Sequence, residues 1–161
     1  MAEDTTGASP SSGSPATTAE DAALQEALAA AHTAVWGYGV VGAALPADAH
    51  DLVVAAERAH QDLRDQVAAL LTSRSADPVA SEAAYTLPFP VLSATDAAAL
   101  AVTLEDGTSA TWTWVLDQAT ERSTRELGVA ALTAAEVRAV GWRTQAGRAP
   151  VTSAFPGLPT G

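Results

Sequence analysis

The sequence predicts an all-α protein, and three observations lead to that fold class. Alanine dominates a hydrophobic fraction of 48%, whereas aromatic residues make up only 5%. Such a composition favours closely packed helices, because alanine is the best helix former. Four segments carry apolar residues at spacings of three and four, as amphipathic helices do, and no long segment alternates as strands do. We therefore expect four helices around one core in this chain of 161 residues.

The first half of the chain predicts a tail and a pair of helices. Residues 1–18 are rich in Ser, Thr, Pro and Gly and cannot bury apolar area, so they are predicted to be disordered, with the helical bundle spanning 19–147. The first helix is expected to begin near Thr18, and a turn is expected at 45–51. The inward stripe of the first helix reads Leu24, Leu28, Ala31, Val35, Gly39 and Gly42. The stripe of the second helix reads Leu52, Ala56, Ala59, Leu63, Val67 and Leu70.

The second half repeats this arrangement after a long link. Residues 72–93 are punctuated by proline but too apolar around "YTLPFPVL" for a free linker, so they should run along the bundle. Ser93 and Asp96 form a capping box that opens the third helix. A fourth helix follows, and the Pro/Gly-rich tail 148–161 is expected to pack on the bundle. Short, long and short links in this order are the connectivity of a ferritin-like four-helix bundle with a long crossover between helices 2 and 3.

A family resemblance agrees with this connectivity. The segments that carry it are "ALAAAHTAVWGYGVVGAAL", "AHQDLRDQVAALL", "EAAYTLPFPV", "ALAVTLEDGTSATWTWVL" and "AFPGLP". Over most of residues 22–159 the chain resembles the ferritin-like domain of unknown function of high-GC actinobacteria. The resemblance implies a ferritin-like four-helix bundle without an established activity. Members commonly show Glu-His where this chain has Ala31 and His32, so the carboxylate typical of the first helix is missing here.

The candidate site begins with "ERAH", in which Glu57 and His60 stand three apart on the second helix. Ferritin-like di-iron bundles use a Glu-x-x-His pair twice, together with one Glu from each of two other helices. His32 falls inward on the first helix at a similar height to His60, so the two histidines could approach each other or share a water. The candidate carboxylate of the third helix is Glu105. These four residues are the candidate ligands of a single iron, manganese or zinc ion.

The second half of a di-iron site is missing from the sequence. All three histidines lie in the first half of the chain, and the nearest counterpart on the fourth helix, "EVRA", has Ala139 after Glu136 where a histidine is needed. Glu105 lies about 140° from Leu100 around the helix, at about 100° per residue, so it is either a paired carboxylate or an edge residue beside Trp112. The pattern favours His32 and His60 as core histidines that bond each other, a carbonyl or water over the same residues as metal ligands.

These observations predict a non-catalytic bundle that acts by self-association, by partner binding or by binding a small apolar ligand, with no cofactor. The alternative is a metal-binding or redox protein with one degenerate metal site. The net charge of −11 argues against nucleic acid and anionic membranes as partners, and no signal peptide is visible, so a cytoplasmic location is expected. The third helix is apolar on nearly all sides. A homodimer, or residues 79–92, should therefore cover Val102, Trp112 and Leu116.

Overall fold

The fold is all-α, as the sequence predicts. The computed structural model describes residues 14–158, and within that range it contains four α-helices and no strand. They are α1 (Pro15–Ala44), α2 (His50–Ser73), α3 (Ala94–Gln118) and α4 (Arg122–Gln145), with a single 3-10 turn, Ala47–Ala49, before α2.

Two helix starts show how local sequence sets the boundaries. Ser14 caps α1 by accepting a hydrogen bond from the backbone N–H of Thr17, and Pro15 occupies the first turn, where its missing N–H costs nothing. The predicted start near Thr18 was therefore three residues late, and residues 1–13 of the predicted tail lie outside the described range. Ser93 caps α3 as predicted, because it accepts from the Asp96 N–H. The Asp96 carboxylate reaches back to the Ser93 hydroxyl and to the N–H of Leu92, one residue before the N-cap.

Long-range contacts fix the directions of the helices. The end of α2 lies beside the start of α1, where Arg74 pairs with Glu20 and Asp21. α3 is antiparallel to α1, and α4 is parallel to α1. The upper core holds Tyr38, Val41, Ala97 and Trp142, and the lower core holds Leu24, Leu71, Trp112 and Val115. The backbones of α1 and α3 approach each other closely, α2 lies against α1, and α4 lies against α3.

The link between α2 and α3 returns along α1 to the other end of the molecule. Gln25 on α1 donates to the carbonyl of Asp77 and accepts from the N–H of Val79. Further along, the ring of Tyr85 lies 5.5 Å from that of Trp36, and Leu87, Phe89 and Val91 pack against the upper core. The long crossover therefore covers apolar surface, as its composition predicts.

Two predicted stripes agree with the structure in part, since Leu24, Leu28 and Ala31 of α1 and Ala56 and Val67 of α2 are buried. On α1 the buried face follows Ala34, Gly37 and Tyr38, whereas Gly39 is exposed. On α2 Val53 is buried, and 54% of Leu52 is exposed. Both helices offer adjacent apolar rows, and the burial of α1 between two other helices selects a row that single-helix periodicity does not.

The apolar surface that suggested a homodimer is covered within the chain. Val102 and Trp112 are each 1% exposed, and Leu116 is partly buried. Gly128 of α4 makes room for this packing, because a Cβ at that position would lie 2.8 Å from Cδ2 of Leu116. α4 therefore covers Trp112 and Leu116, whereas Val102 lies in the upper core, against which Leu87, Phe89 and Val91 of residues 79–92 pack. The homodimer stays a prediction.

One helix has a length and composition that a membrane span would share. Pro15–Ala44 is long and apolar enough to cross a membrane by those two criteria. Here α1 packs between α2 and α3, and its buried residues contribute to both ends of the core. Core helices meet the same two criteria.

The C-terminal tail lies against α3 and α4 as far as residue 158. Arg143 of α4 donates to the carbonyl of Val151, and Thr113 of α3 donates to the carbonyl of Pro156. Arg143 also pairs with Asp106 and Glu136, so the same guanidinium ties the tail to both helices.

Candidate functional site

A polar cluster lies at the centre of the helices, around a fully buried carboxylate. Both oxygens of Glu105 on α3 are hydrogen-bonded. Its Oε1 accepts from the hydroxyl of Tyr38 at 2.5 Å, from Nε of Arg138 at 2.8 Å and from Nε2 of His60 at 3.0 Å. Its Oε2 accepts from Nη2 of Arg138 at 3.0 Å. Each of the four helices thus contributes one member of this central cluster.

Aromatic packing holds the donors in place. The rings of Tyr38 and His60 stack with centroids 5.5 Å apart, and the ring of Trp142 lies 6.0 Å from that of Tyr38. Tyr38 and His60 are fully buried, whereas 20% of the Arg138 side chain is exposed. Arg138 therefore enters the cluster from the edge of the core, with its apolar stem along α4 and its charged end inside.

The electrostatics of the cluster keep Glu105 ionised. Burial raises the pKa of Glu105, but the hydrogen bonds from His60 and Arg138, together with the charge of Arg138, outweigh that effect and leave the pKa below its usual value. Burial and the negative charge of Glu105 raise the pKa of Tyr38, so its hydroxyl stays protonated and acts as a donor. The arrangement is a buried ion pair with two additional donors.

His60 has one ring nitrogen that the cluster does not use. An ionised carboxylate only accepts hydrogen bonds, so Nε2 carries the proton that points to Glu105. The other nitrogen, Nδ1, is buried and has no hydrogen-bond partner among the described residues. Buried polar atoms of this kind are usually paired, which makes Nδ1 the open position of the cluster.

Of the four residues predicted as metal ligands, the structure brings two together. His60 and Glu105 are in contact, whereas Glu57 accepts a hydrogen bond from Gln61 on its own helix. His32 lies on the flank of α1, where its Nε2 is 3.2 Å from the carbonyl of Val79 in the crossover. Within residues 14–158 no three His, Asp or Glu residues are grouped so that they could hold a metal ion. The predicted four-ligand set and the approach of His32 to His60 are therefore not formed.

The central cluster does not fit a di-iron centre. Such a centre needs about four carboxylates and two imidazoles facing each other. Here a single carboxylate faces one imidazole, and its oxygens already accept four hydrogen bonds. The guanidinium of Arg138 supplies the positive charge that balances Glu105.

Two members of the cluster, Tyr38 and Arg138, were missing from the sequence analysis. Arg138 is part of the "EVRA" segment, in which only Glu136 and Ala139 were considered. Glu136 instead accepts hydrogen bonds from Ser109 and Arg143. An arginine amid the alanines and valines of α4 needs an acid partner. The sequence did contain a signal for this pair, because Glu105 is an acidic residue inside an apolar run of α3.

A second buried carboxylate holds the lower end of the molecule together. Glu20 is fully buried and accepts from Arg74, from the hydroxyl and N–H of Thr120 and from the N–H of Glu121. Burial raises its pKa, but the hydrogen bonds of Thr120, Thr124 and Arg74 outweigh this and lower the pKa to about 2. This contact joins α1, the end of α2 and the α3–α4 link, so its role is structural.

An apolar cleft opens between α1, α3 and the crossover, away from the central cluster. Its volume is about 240 Å³. The walls include Trp36, Leu87, Leu100 and Leu104, with Gly37 and Gly107 on the two helices. Gly37 allows the close approach of α1 and α3 here, because a Cβ at that position would lie 2.7 Å from Cδ1 of Leu104.

Five of the residues that line the cleft are threonines, and Trp36 adds an indole N–H. Four of these threonines lie on helices, and each hydroxyl donates its proton to the carbonyl four residues earlier on its helix. They are Thr33, Thr103, Thr108 and Thr111. None of the residues that line the cleft carries an ionisable acidic or basic side chain.

Comparisons with known proteins place the chain among helical domains without an assigned activity. Residues 23–160 match the family described as domain of unknown function DUF4439. The crystal structure of a conserved hypothetical protein, rv2844, from Mycobacterium tuberculosis is similar, with a TM-score of 0.77 and 37% sequence identity. The similarity covers 79% of this chain and 96% of that one. No curated protein matches the chain.

Proposed function

This chain belongs to the DUF4439 family, and we propose that it is a ferritin-like, non-catalytic bundle that binds a small apolar ligand in the cleft between α1, α3 and the crossover. The observation that carries the proposal is the cleft itself, which combines an apolar lining with a few polar oxygens. Ligand sites of soluble proteins generally have that composition.

The ferritin-like part of the proposal is supported by the helix directions. α1 and α4 run one way and α2 and α3 the other, with one long connection between α2 and α3. A bundle with a single long crossover is the ferritin-like arrangement.

The non-catalytic part is supported by the central cluster. Glu105 and Tyr38 are fully buried, and their polar atoms are engaged with each other or with Arg138 and His60. Three of these bonds are accepted by Oε1 and one by Oε2, so at most one lone pair of Oε2 stays open, which leaves little capacity for a substrate or a metal ion.

The ligand-binding part is supported by size and chemistry. An apolar cavity of about 150 Å³ is sufficient to hold benzene. The cleft, at about 240 Å³, therefore has room for a molecule of one or two rings. Trp36 and Leu104 offer it apolar contact area on two sides.

A filled-cleft variant tests this function. Gly107 lines the cleft, and a Cβ built there meets no atom within 4 Å, so Gly107→Leu should fill the cleft without disturbing the fold. Gly141→Leu on α4 is the matched control, because a Cβ there is equally unobstructed and Gly141 lies outside the cleft.

The measurement is calorimetric titration with naphthalene derivatives, together with NMR of the Trp36 indole. We expect binding by the wild type and by Gly141→Leu, and a loss of at least tenfold in affinity for Gly107→Leu. Equal binding by both variants would exclude this cleft as the site.

The alternative is a metal-binding or redox protein with one degenerate site that holds iron, manganese or zinc. The free Nδ1 of His60 favours it, because neutral imidazole nitrogen is a common metal ligand. Metal content after purification without chelators is the direct test. A bound ion must also raise the melting temperature, because it stabilises only the folded state. Self-association, a cytoplasmic location and the absence of nucleic-acid or membrane partners stay predictions.

A further inference from the structure

We infer that the ligand of this cleft is uncharged and carries a hydroxyl or N–H donor on an apolar body of one or two rings. The inference rests on the proposed function and adds the chemical class of the ligand.

The first step concerns charge. The lining residues include no Lys, Arg, His, Asp or Glu, so an ionised group inside the cleft would lose its hydration without gaining a counter-ion. An anion is disfavoured further by the net charge of −11 on the chain. Carboxylates and phosphates are therefore poor ligands here.

The second step concerns hydrogen bonding. A threonine hydroxyl has one proton and two acceptor lone pairs. The protons of Thr33, Thr103 and Thr111 are engaged by the carbonyls of Ala29, Ala99 and Gly107, at 3.0, 3.0 and 2.9 Å. Towards a ligand these side chains therefore act as acceptors, and the complementary group on the ligand is a donor.

Three naphthalene derivatives test the charge requirement and the hydrogen-bond requirement separately. 2-Naphthol is neutral and donates, 2-methoxynaphthalene is neutral and cannot donate, and 2-naphthoate is an anion. One added neutral hydrogen bond contributes on the order of 1 kcal/mol, which corresponds to about fivefold in affinity. We expect 2-naphthol to bind about fivefold more tightly than the methyl ether and at least tenfold more tightly than the carboxylate.

Threonine variants locate the acceptors. Thr103→Val and Thr111→Val keep the side-chain shape and remove the oxygen, so in the double variant 2-naphthol should lose its advantage over the methyl ether. Thr144→Val is the matched control, because Thr144 makes the same bond to the carbonyl four residues earlier on α4, outside the cleft. This control should keep the preference of the wild type.

Calorimetry measures the affinities, and NMR shifts of the Trp36 indole confirm the location of binding. Together they distinguish a failure of the proposed function from a failure of this inference. If none of the three compounds binds, both the proposed function and this inference are wrong. If 2-naphthoate or the methyl ether binds within twofold of 2-naphthol at the cleft, the function stands and the inference is overturned.

Discussion

The negative charge of Glu105 is balanced by Arg138 at the centre of the molecule. Replacing Glu105 by glutamine keeps the shape but leaves the guanidinium of Arg138 without its carboxylate. Breaking one side of a buried pair costs about 3–5 kcal/mol. We expect a loss of stability of this order for Glu105→Gln in urea unfolding. Glu126→Gln is the control, since its pair with Arg122 is exposed and should not change the unfolding free energy measurably.

The sequence identified part of this cluster, and the limit has a physical cause. Periodicity placed His60 correctly on the inner face of α2, where Ala56 and Val67 of the predicted stripe are also buried. α3 is apolar on two sides since it packs against both α1 and α4, and periodicity alone left Glu105 either paired or at an edge. Tyr38 and Arg138 depend on the rotation of α1 and α4 around their axes, which only the packed helices determine.

At the scale of one helix, the glycines of α4 have opposite roles. A Cβ at Gly128 would lie 2.8 Å from Cδ2 and 3.0 Å from Cγ of Leu116, whereas one at Gly141 meets nothing within 4 Å. Gly128→Ala should therefore destabilise the protein by about 1 kcal/mol through overpacking. Gly141→Ala should stabilise it by about 0.5–1 kcal/mol, because alanine loses less backbone entropy in a helix. Thermal unfolding of the pair measures the difference, and equal shifts would contradict this packing of α4.

At the lower end of the molecule, where α1, the end of α2 and the α3–α4 link meet, Glu20 makes the stability of the protein depend on pH. Its folded pKa of about 2 lies below the ordinary value of 4.5. The stabilisation is therefore complete above pH 4.5 and is lost as the pH falls towards 2. A shift of this size corresponds to about 3 kcal/mol. We expect Glu20→Gln to be less stable than the wild type at neutral pH and to lose less stability between pH 4.5 and 2.

Urea unfolding at a series of pH values measures this effect, and Glu126→Gln should keep the wild-type curve. If the unfolding free energies of the wild type and Glu20→Gln changed in parallel with pH, Glu20 would not be the source of the loss of stability in acid. Part of the acid sensitivity should remain in Glu20→Gln, because the pKa of Glu105 is lowered as well.

For the whole molecule, Trp112 separates internal packing from association. Its side chain is 1% exposed within one chain. Trp112→Ala should cost about 3–5 kcal/mol. If α4 covers this side chain, the loss does not change with protein concentration, whereas burial in a dimer would make the unfolding midpoint concentration-dependent. Unfolding of the wild type and of Trp112→Ala should be compared at about 1 and about 100 μM protein. Together with sedimentation of the wild type, this comparison distinguishes burial under α4 from burial in a dimer.

The overall architecture followed from sequence more completely than the site did. The four helices, the long link and the cap of α3 at Ser93 arise from local patterns, which one segment carries by itself. The surface of Val102 and Trp112 was assigned to a homodimer or to residues 79–92, because the sequence does not show that α3 lies between two helices. Knowing which helices are neighbours requires the long-range contacts of the folded chain.

The pairing of α1 with α3 also sets an order of local opening. Each of these helices is in close backbone contact with two others, whereas α2 and α4 each lie against one. Segments with fewer packed neighbours open at a lower free energy and exchange their amide hydrogens sooner. In deuterated water the amides of α1 and α3 around Leu28 and Val115 should be the last to exchange, and those of α2 around Leu52 among the first. The domain would then behave as a persistent two-helix spine from which the outer helices detach one at a time.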